Sequence, residues 1–508
     1  MNSSQLLERN ARKYPKTEAV IGMGKRYTYK ELDQLVNRFA HGLKLLGIGR
    51  GDKAVLYMPN VPEFVIAYFA VQRLGAIIVP INAKMTLSEV EYVLENSDAK
   101  AFIAHDLLFE SVKNLDSNLV LIKTGAPLDD KWISFETVFN DNDSSIECNL
   151  PDSSESTILY TSGTTGKPKG VLFSYKNILT VAQMICVEME IKPESRLLIM
   201  MPLSHSAPLH LFFMAGLIVG ATSVLTPTFT PDLLIDTVEQ EKTTHFFGAP
   251  VVYLLTAKNL KMETADLSSM KWWIYGSAPL SQPEVEFVQE KFKSDNFICV
   301  YGLTEAGPNG TLLSASEHKT KAGSIGKRAA LHAEFRIVNP NGEDVQQGEV
   351  GEILLRGEGN MLGYYNNIEA TAETFIGDWL KTGDLAKIDE DGYIWVVDRK
   401  KDLIISGGVN IYPKEVEEVL ITHSAINEVA VVGVPHPEWG ETVKAYFAAS
   451  EVLNLEEVKQ FAQEQLAQYK VPRLYEQVEA LPRNASGKIL KQPLREGEVN
   501  GLTAKVGN

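Results

Sequence analysis

Cysteine is scarce: the 508 residues hold three, Cys148, Cys186 and Cys299, and none lies in a CxxC or Cys/His spacing. That argues against a disulfide framework and a cysteine-ligated metal, and points to free thiols in a reducing compartment. Positive charge is also short. Lys and Arg number 49 against 65 Asp and Glu, a formal net charge of -16. A protein that neutralises nucleic-acid phosphates shows the opposite bias, so no nucleic-acid partner is expected. Long hydrophobic runs are missing too. The one long uncharged stretch, 200–231, is broken by Pro202, His205, Pro208, His210 and Pro227. Only LFFMAGLIVGA is continuously apolar, well short of the ~20 residues a bilayer span needs, so it reads as a buried helix. Peripheral membrane contact remains compatible with it. The opening MNSSQLLERNARKYP lacks the apolar core of a secretory signal, and a cytoplasmic protein is expected. There is no internal repeat or low-complexity tract.

What is present is a chain several times the ~150 residues of a single domain, with 44% apolar residues to fill its cores. Thr28 with Glu31 forms a capping-box pattern. Leu32, Leu35, Val36, Phe39, Ala40 and Leu43 then keep one helical face apolar until Gly47. A strand-like AVLYM follows, then the apolar helix PEFVIAYFAVQRLG, the strand AIIVPIN, a helix that Thr86 and Glu89 would cap, and the strand AFIAH. Strand, helix, strand in this order predicts a mainly parallel sheet covered by helices. A polar connection, DNDSSIECNLPDSSES, leads to a second such unit. Residues 342–363, Gly-rich around EVGEILLRG, read as short strands and turns. The last ~110 residues, with a helix at KEVEEVLITH, strands at VAVVGV and KAYFAA and a helix at LEEVKQFAQEQLAQY, read as a small α+β unit. The fold class expected is therefore α/β: a large N-terminal domain of mainly parallel sheets with a β-rich subdomain, and a small α+β C-terminal domain.

Residues 160–170, YTSGTTGKPKG, run from a strand end into a loop of Gly, Thr, Ser and Lys. Such a loop turns backbone N–H groups, hydroxyls and ammonium groups towards one anion, as phosphate sites do. It is not a Walker A sequence, because Lys167 is followed by Pro168. Downstream come GSAPL at 276–280, YGLTEAGP at 301–308, TGD at 382–384, DRKKDLIISGG at 398–408 and NASGK at 484–488.

In that order the six strings resemble the AMP-forming acyl-CoA synthetases, the acyl-adenylate-forming enzymes, and most of all the medium- and long-chain fatty-acyl-CoA ligases. The resemblance spans nearly the whole chain. It implies domains at 1–398 and 399–508, the smaller one mobile, and ATP, Mg²⁺ and coenzyme A as reactants and cofactor. Thr161, Ser162, Gly163, Thr164, Thr165, Gly166 and Lys169 would embrace the ATP phosphates. Gly276, Ser277, Ala278 and Pro279, with Tyr301, Gly302 and Leu303, would enclose the adenine. Thr304 would contact phosphate and Glu305 would bind Mg²⁺, for which a hard carboxylate oxygen is suited. Asp384 would hold the ribose hydroxyls and Arg399 the ribose or phosphate. Lys488 would be catalytic: its ammonium neutralises two anions as the acid's carboxylate attacks the α-phosphorus and pyrophosphate leaves. The resemblance further implies that the small domain rotates about Lys401 and brings Gly407 and Gly408 to the thiol channel for the second half-reaction.

The acid pocket would draw on His205, Phe247, Gly276, Gly302 and Ala306. MPLSHSAPLHLFF contains no carboxylate, so an amino-acid substrate, whose ammonium would be buried unpaired, is disfavoured. A fatty acid is expected, with an aryl acid such as a coumarate or benzoate as the alternative. A luciferase-like oxygenase and a non-catalytic acyl- or nucleotide-binding protein are the readings of a different class. The oligomeric state is open, and a homodimer is compatible with the sequence.

Overall fold

Capping chemistry opens the helices where the sequence predicts. In the computed structural model, which describes residues 2–115, 117–126, 129–161, 167–483 and 489–499, the Thr28 hydroxyl accepts the Glu31 N–H. The Glu31 carboxylate accepts the Thr28 N–H in return, starting helix Tyr29–Leu45. Thr86 and Glu89 repeat the arrangement for Leu87–Asn96. Helix Pro62–Arg73 begins with its proline, whose missing N–H costs nothing in the first turn. It is apolar around most of its circumference and accordingly buried along nearly its whole length.

The chain divides into two compact units, residues 1–335 with 354–381, and residues 336–353 with 382–508. By packing, the break thus falls ahead of the 398/399 boundary expected from the sequence. The first unit holds two large sheets. One runs in the order Gly363–Tyr364, Lys169–Ser174, Glu155–Thr161, Ile77–Pro80, Lys53–Tyr57, Ala99–Ala104, Val120–Lys123, Trp132–Ser134. It is parallel from Glu155–Thr161 to its far edge. The other is parallel through Glu18–Gly22, Thr222–Leu225, Arg196–Ile199, His245–Gly248, Trp272–Gly276 and Phe297–Tyr301, with antiparallel strands at both ends. Buried residues such as Phe39, Phe69, Val171, Ile185, Phe213 and Ile274 form one continuous core in this unit.

LFFMAGLIVGA is a buried helical segment, as expected, with a local difference. Its first part belongs to a π-helical stretch, Ala207–Phe213, which passes into the α-helix Met214–Val219 and ends at Gly220. π-turns are uncommon and concentrate near functional sites. Nothing in the hydrophobic period distinguishes them from an α-helix. Among the described residues no helix is long and apolar enough to cross a membrane.

In the second unit, Ile394–Arg399 pairs antiparallel with Asp384 to Ile388. Val409–Ile411, Ile404–Ser406, Gly440–Ala449 and Ile426–His436 form an antiparallel sheet, to which Leu474–Gln477 adds a parallel strand. Helices Pro413–Leu420 and Leu455–Gln465 bury Val416, Leu420, Val458 and Ala462 in a core with Val431, Val443 and Phe447.

Candidate active site

Four neighbouring parallel strands of the larger sheet each deliver a predicted residue at the same edge. Arg196–Ile199 leads to His205, His245–Gly248 carries Phe247, Trp272–Gly276 ends in Gly276, and Phe297–Tyr301 runs into Gly302 to Ala306. The carboxyl ends of parallel strands are where open α/β sheets bind ligands, because the connecting loops diverge there. After Gly276, Ser277 takes φ +71°, a left-handed conformation rare for a non-glycine, and Ser277 and Ala278 are exposed. A Cβ on Gly276 would lie 3.5 Å from the Phe247 ring, so the segments predicted for adenine and for the acid adjoin. Gly302 is needed for a close approach: a Cβ there would sit 2.6 Å from the Pro308 carbonyl oxygen, which is backbone and cannot give way. The 301–308 loop therefore folds back on itself and presents Thr304, Glu305 and Ala306 as a single 3-10 turn.

The other sheet carries the strands that flank the predicted phosphate loop. Strands Glu155–Thr161 and Lys169–Ser174 pair antiparallel, with Thr161 opposite Lys169. Ser162, Gly163, Thr164, Thr165 and Gly166 lie outside the described residues. At the foot of the loop the Lys167 ammonium stands 5.5 Å from the Tyr92 ring centre, and the Tyr92 hydroxyl donates to the Pro168 carbonyl at 3.1 Å. Lys169 stands 5.0 Å over the ring of Tyr364, on the strand beside it. The Tyr364 hydroxyl donates to Glu305 Oε1 at 2.9 Å, and the Met361 N–H holds the Glu305 carbonyl at 2.8 Å. The Ser206 hydroxyl donates to Thr304 Oγ1 at 3.2 Å, and His205 Nε2 lies 3.2 Å from the Asn82 amide. Lys169, the metal-ligand candidate Glu305 and the predicted acid-pocket residue His205 are thus each tied to the neighbouring sheet or loop.

Tyr364 was not legible in the sequence, since GYYNN has neither spacing nor composition to mark it. Burial, and then the neighbouring Glu305 charge, raise its phenol well above the usual range, so it stays a donor. The bond occupies one carboxylate oxygen of Glu305. Among the described residues no cluster of three or more His, Cys, Asp or Glu offers a metal cage. One oriented carboxylate without a cage fits Mg²⁺, which keeps its waters and shares phosphate oxygens, better than a metal held by protein alone. Tyr364→Phe should therefore lower kcat/KM about tenfold and raise the Mg²⁺ concentration for half-maximal rate, both read in steady-state kinetics. An unchanged Mg²⁺ dependence would show that the tyrosine does not orient the ligand.

His205 is half-buried, and burial lowers its pKa, so it is neutral at pH 7. Deeper in the π-helical stretch His210 is fully buried against the edge of Phe173, with both ring nitrogens unpartnered among the described residues. Burial pushes it down to about 3 and His245 to about 4. Both are neutral in the folded protein, whereas the unfolded chain takes up these protons near pH 6.5. Below that pH the unfolded state binds more protons and stability falls, by about 1.4 kcal/mol per pH unit for each histidine. The urea midpoint should drop between pH 7 and pH 5, and His210→Leu should make the drop shallower. A midpoint constant over that range would contradict the assignment.

The remaining predicted residues lie in the second unit. Asp384 is 5% exposed and pairs with Arg399 in strand register, Nε to Oδ1 at 2.7 Å. Arg399 does not pair with the Asp398 carboxylate through its guanidinium; Asp398 instead accepts the backbone N–H groups of Arg399 and Lys414. Lys401 lies in the turn Lys400–Asp402, where Arg495 binds its carbonyl at 3.2 Å and the Asp402 carboxylate at 2.7 Å. Gly407 and Gly408, with φ +57° and +81°, form the two-residue turn between Ile404–Ser406 and Val409–Ile411, a geometry that glycine adopts without strain. Lys488 lies outside the described residues.

Lys169 beside a loop that holds one oriented carboxylate at a sheet's carboxyl edge is an arrangement suited to a magnesium-bound phosphate group, as in nucleotide-dependent enzymes. The AMP-binding enzyme family matches residues 7–365, and the AMP-binding enzyme C-terminal domain matches residues 415–488. The chain belongs to this family of AMP-forming acyl-CoA synthetases. It is 35% identical over 489 residues to a feruloyl-CoA synthase of Amycolatopsis sp, covering 96% of this chain and 97% of that protein. It is 31% identical to the long-chain-fatty-acid–CoA ligase FadD13 of Mycobacterium tuberculosis, covering 97% and 98%. Its structure resembles that of o-succinylbenzoate CoA synthetase (MenE) from Bacillus subtilis with the acyl-adenylate OSB-AMP. The TM-score is 0.87 at 29% identity over 100% of this chain and 99% of that one. The same synthetase bound to ATP and magnesium ion gives a TM-score of 0.85 at 29% identity, covering 97% and 98%. The protein is thus an AMP-forming acid–CoA ligase that uses ATP, Mg²⁺ and CoA.

Proposed function

We propose that the acid activated is a medium- or long-chain fatty acid, taken into an apolar pocket bounded by His205, Phe247, Gly276, Gly302 and Ala306. A free carboxylate resists thiol attack because it is anionic and has a poor leaving group. Transfer of AMP makes it a mixed anhydride, from which the CoA thiol expels AMP. In this reading Lys169, Thr304 and residues 161–166 hold the phosphates, and Glu305 binds the Mg²⁺, which supplies charge neutralisation on the phosphate oxygens. Gly276 to Pro279 and Tyr301 to Leu303 receive the adenine. Asp384 and Arg399 serve the ribose, and Lys488 neutralises charge as pyrophosphate departs. A small domain from residue 399 turning about Lys401 would separate the two half-reactions, with Gly407–Gly408 serving the thiol step. The free thiols of Cys148, Cys186 and Cys299 suit a cytoplasmic setting.

The observation that carries the adenylation site is the line from Lys169 through Tyr364 to Glu305, a cation and an oriented carboxylate beside one phosphate loop. Acids of graded length in ATP–pyrophosphate exchange, followed by CoA thioester formation, test the substrate. Exchange that rises with chain length supports the fatty-acid reading. A panel in which only aromatic acids exchange would replace it with the second reading, an aryl acid, which the 35% identity to a feruloyl-CoA synthase supports.

A further inference from the structure

Helix Leu87–Asn96 carries none of the six strings, yet its side chains reach both chain segments that flank residues 162–166. Tyr92 and Asn96 stand four positions apart and so lie on one face of the helix. On the outgoing side the Tyr92 hydroxyl donates to the Pro168 carbonyl at 3.1 Å, and its ring centre lies 5.5 Å from Lys167 Nζ. On the incoming side the Tyr160 hydroxyl donates to Asn96 Oδ1 at 2.7 Å. The helix is a firm base for these contacts. Its first turn is closed by the Thr86–Glu89 cap, and Val90, Val93 and Leu94 are buried in one core with Ile158 and Leu172 of the two flanking strands.

Lys167 is exposed, and the Tyr92 ring is the group its ammonium meets among the described residues. An exposed lysine loses rotamer freedom when it grips an anion, and one already held over an aromatic face has less to lose. The bond to Pro168 works in the same direction. Proline fixes its own φ, so anchoring its carbonyl also restricts the Lys167–Pro168 peptide before it and the nitrogen of Lys169 after it. Lys169 in turn stands 5.0 Å over the Tyr364 ring. We propose that Tyr92 is a positioning residue for ATP, holding Lys167 and the Pro168–Lys169 peptide so that the two ammonium groups meet the pyrophosphate end of the nucleotide. That end carries most of the charge of ATP, and two cations match it better than they match the single phosphate of AMP. The proposal rests on the adenylation-site reading and adds to it a residue from outside the six strings.

The test compares the two half-reactions in the full-length enzyme. Tyr92→Phe keeps the ring over Lys167 but loses the bond to Pro168, and should raise KM for ATP about threefold in acid-dependent ATP–pyrophosphate exchange. Tyr92→Leu loses both contacts and should raise it about tenfold. KM for pyrophosphate, read as ATP formed from chemically made acyl adenylate, should rise by similar factors, because pyrophosphate meets the same cations. Thioester formation from supplied acyl adenylate and CoA should stay within about twofold of wild type, since no pyrophosphate group takes part in it. Tyr365→Phe is the control. It removes a phenol hydroxyl that bonds the exposed Asp98 at 2.9 Å, and should change none of these values. If leucine perturbs folding, Tyr92→Phe decides the matter against the same thioester measurement. Unchanged KM values for ATP and pyrophosphate, an equal loss in both half-reactions, or an equal rise in Tyr365→Phe would overturn the proposal and leave adenylation standing. Absence of exchange in the wild-type enzyme with every acid would sink the site reading itself, and the proposal with it.

Discussion

Lys488→Ala is expected to lower acid-dependent ATP–pyrophosphate exchange by about 10²–10³-fold while lowering thioester formation from a supplied acyl adenylate by less than about tenfold. The asymmetry follows from where charge develops. In the first half-reaction a carboxylate approaches a phosphate and pyrophosphate departs with more charge than it carried in ATP, so a fixed ammonium stabilises the transition state more than the ground state. In the second, the CoA thiol attacks the uncharged acyl carbonyl of the mixed anhydride and AMP leaves, and a lysine placed for the first step contributes little. Both steps can be measured separately, the second by mixing chemically made acyl adenylate with CoA. Equal losses in the two assays would remove Lys488 from the adenylation step and take away the reason for a domain rotation between them.

Glu305→Gln should be the next most damaging change, reducing adenylation by about 10²-fold and shifting the Mg²⁺ dependence to higher concentration, more than Tyr364→Phe does. Glutamine keeps the volume and can still accept the Tyr364 hydroxyl, which lies 2.9 Å from Oε1. The loop at 301–308 should therefore keep its shape, and the loss reports charge alone. Excess Mg²⁺ should restore part of the rate in Tyr364→Phe, where the carboxylate survives, and much less in Glu305→Gln. Full recovery of Glu305→Gln with Mg²⁺ would show that the carboxylate is not the ligand.

The same loop shows how far one-dimensional reading reaches. Glu305 was found because YGLTEAGP is a local string, and its role depends on chemistry carried by one residue. Tyr364 matters through what it touches, and it is 59 positions from its partner. The pairing of Asp384 with Arg399 is a cross-strand register, and strand register follows from which residues fall opposite each other once both strands have formed.

The sequence by itself determined the helix starts at Thr28 and Thr86, the alternation of strands and helices, and the six strings that mark an acid-activating ligase. All of these are set within a few residues by capping geometry, periodicity and side-chain chemistry. The tertiary structure decided what depends on contacts between distant segments. It aligned four strand ends so that His205, Phe247, Gly276 and Glu305 share one edge. It gave Glu305 a tyrosine donor from a distant strand. Burial and pairing are properties of the packed chain, because solvent is excluded only when remote surfaces meet.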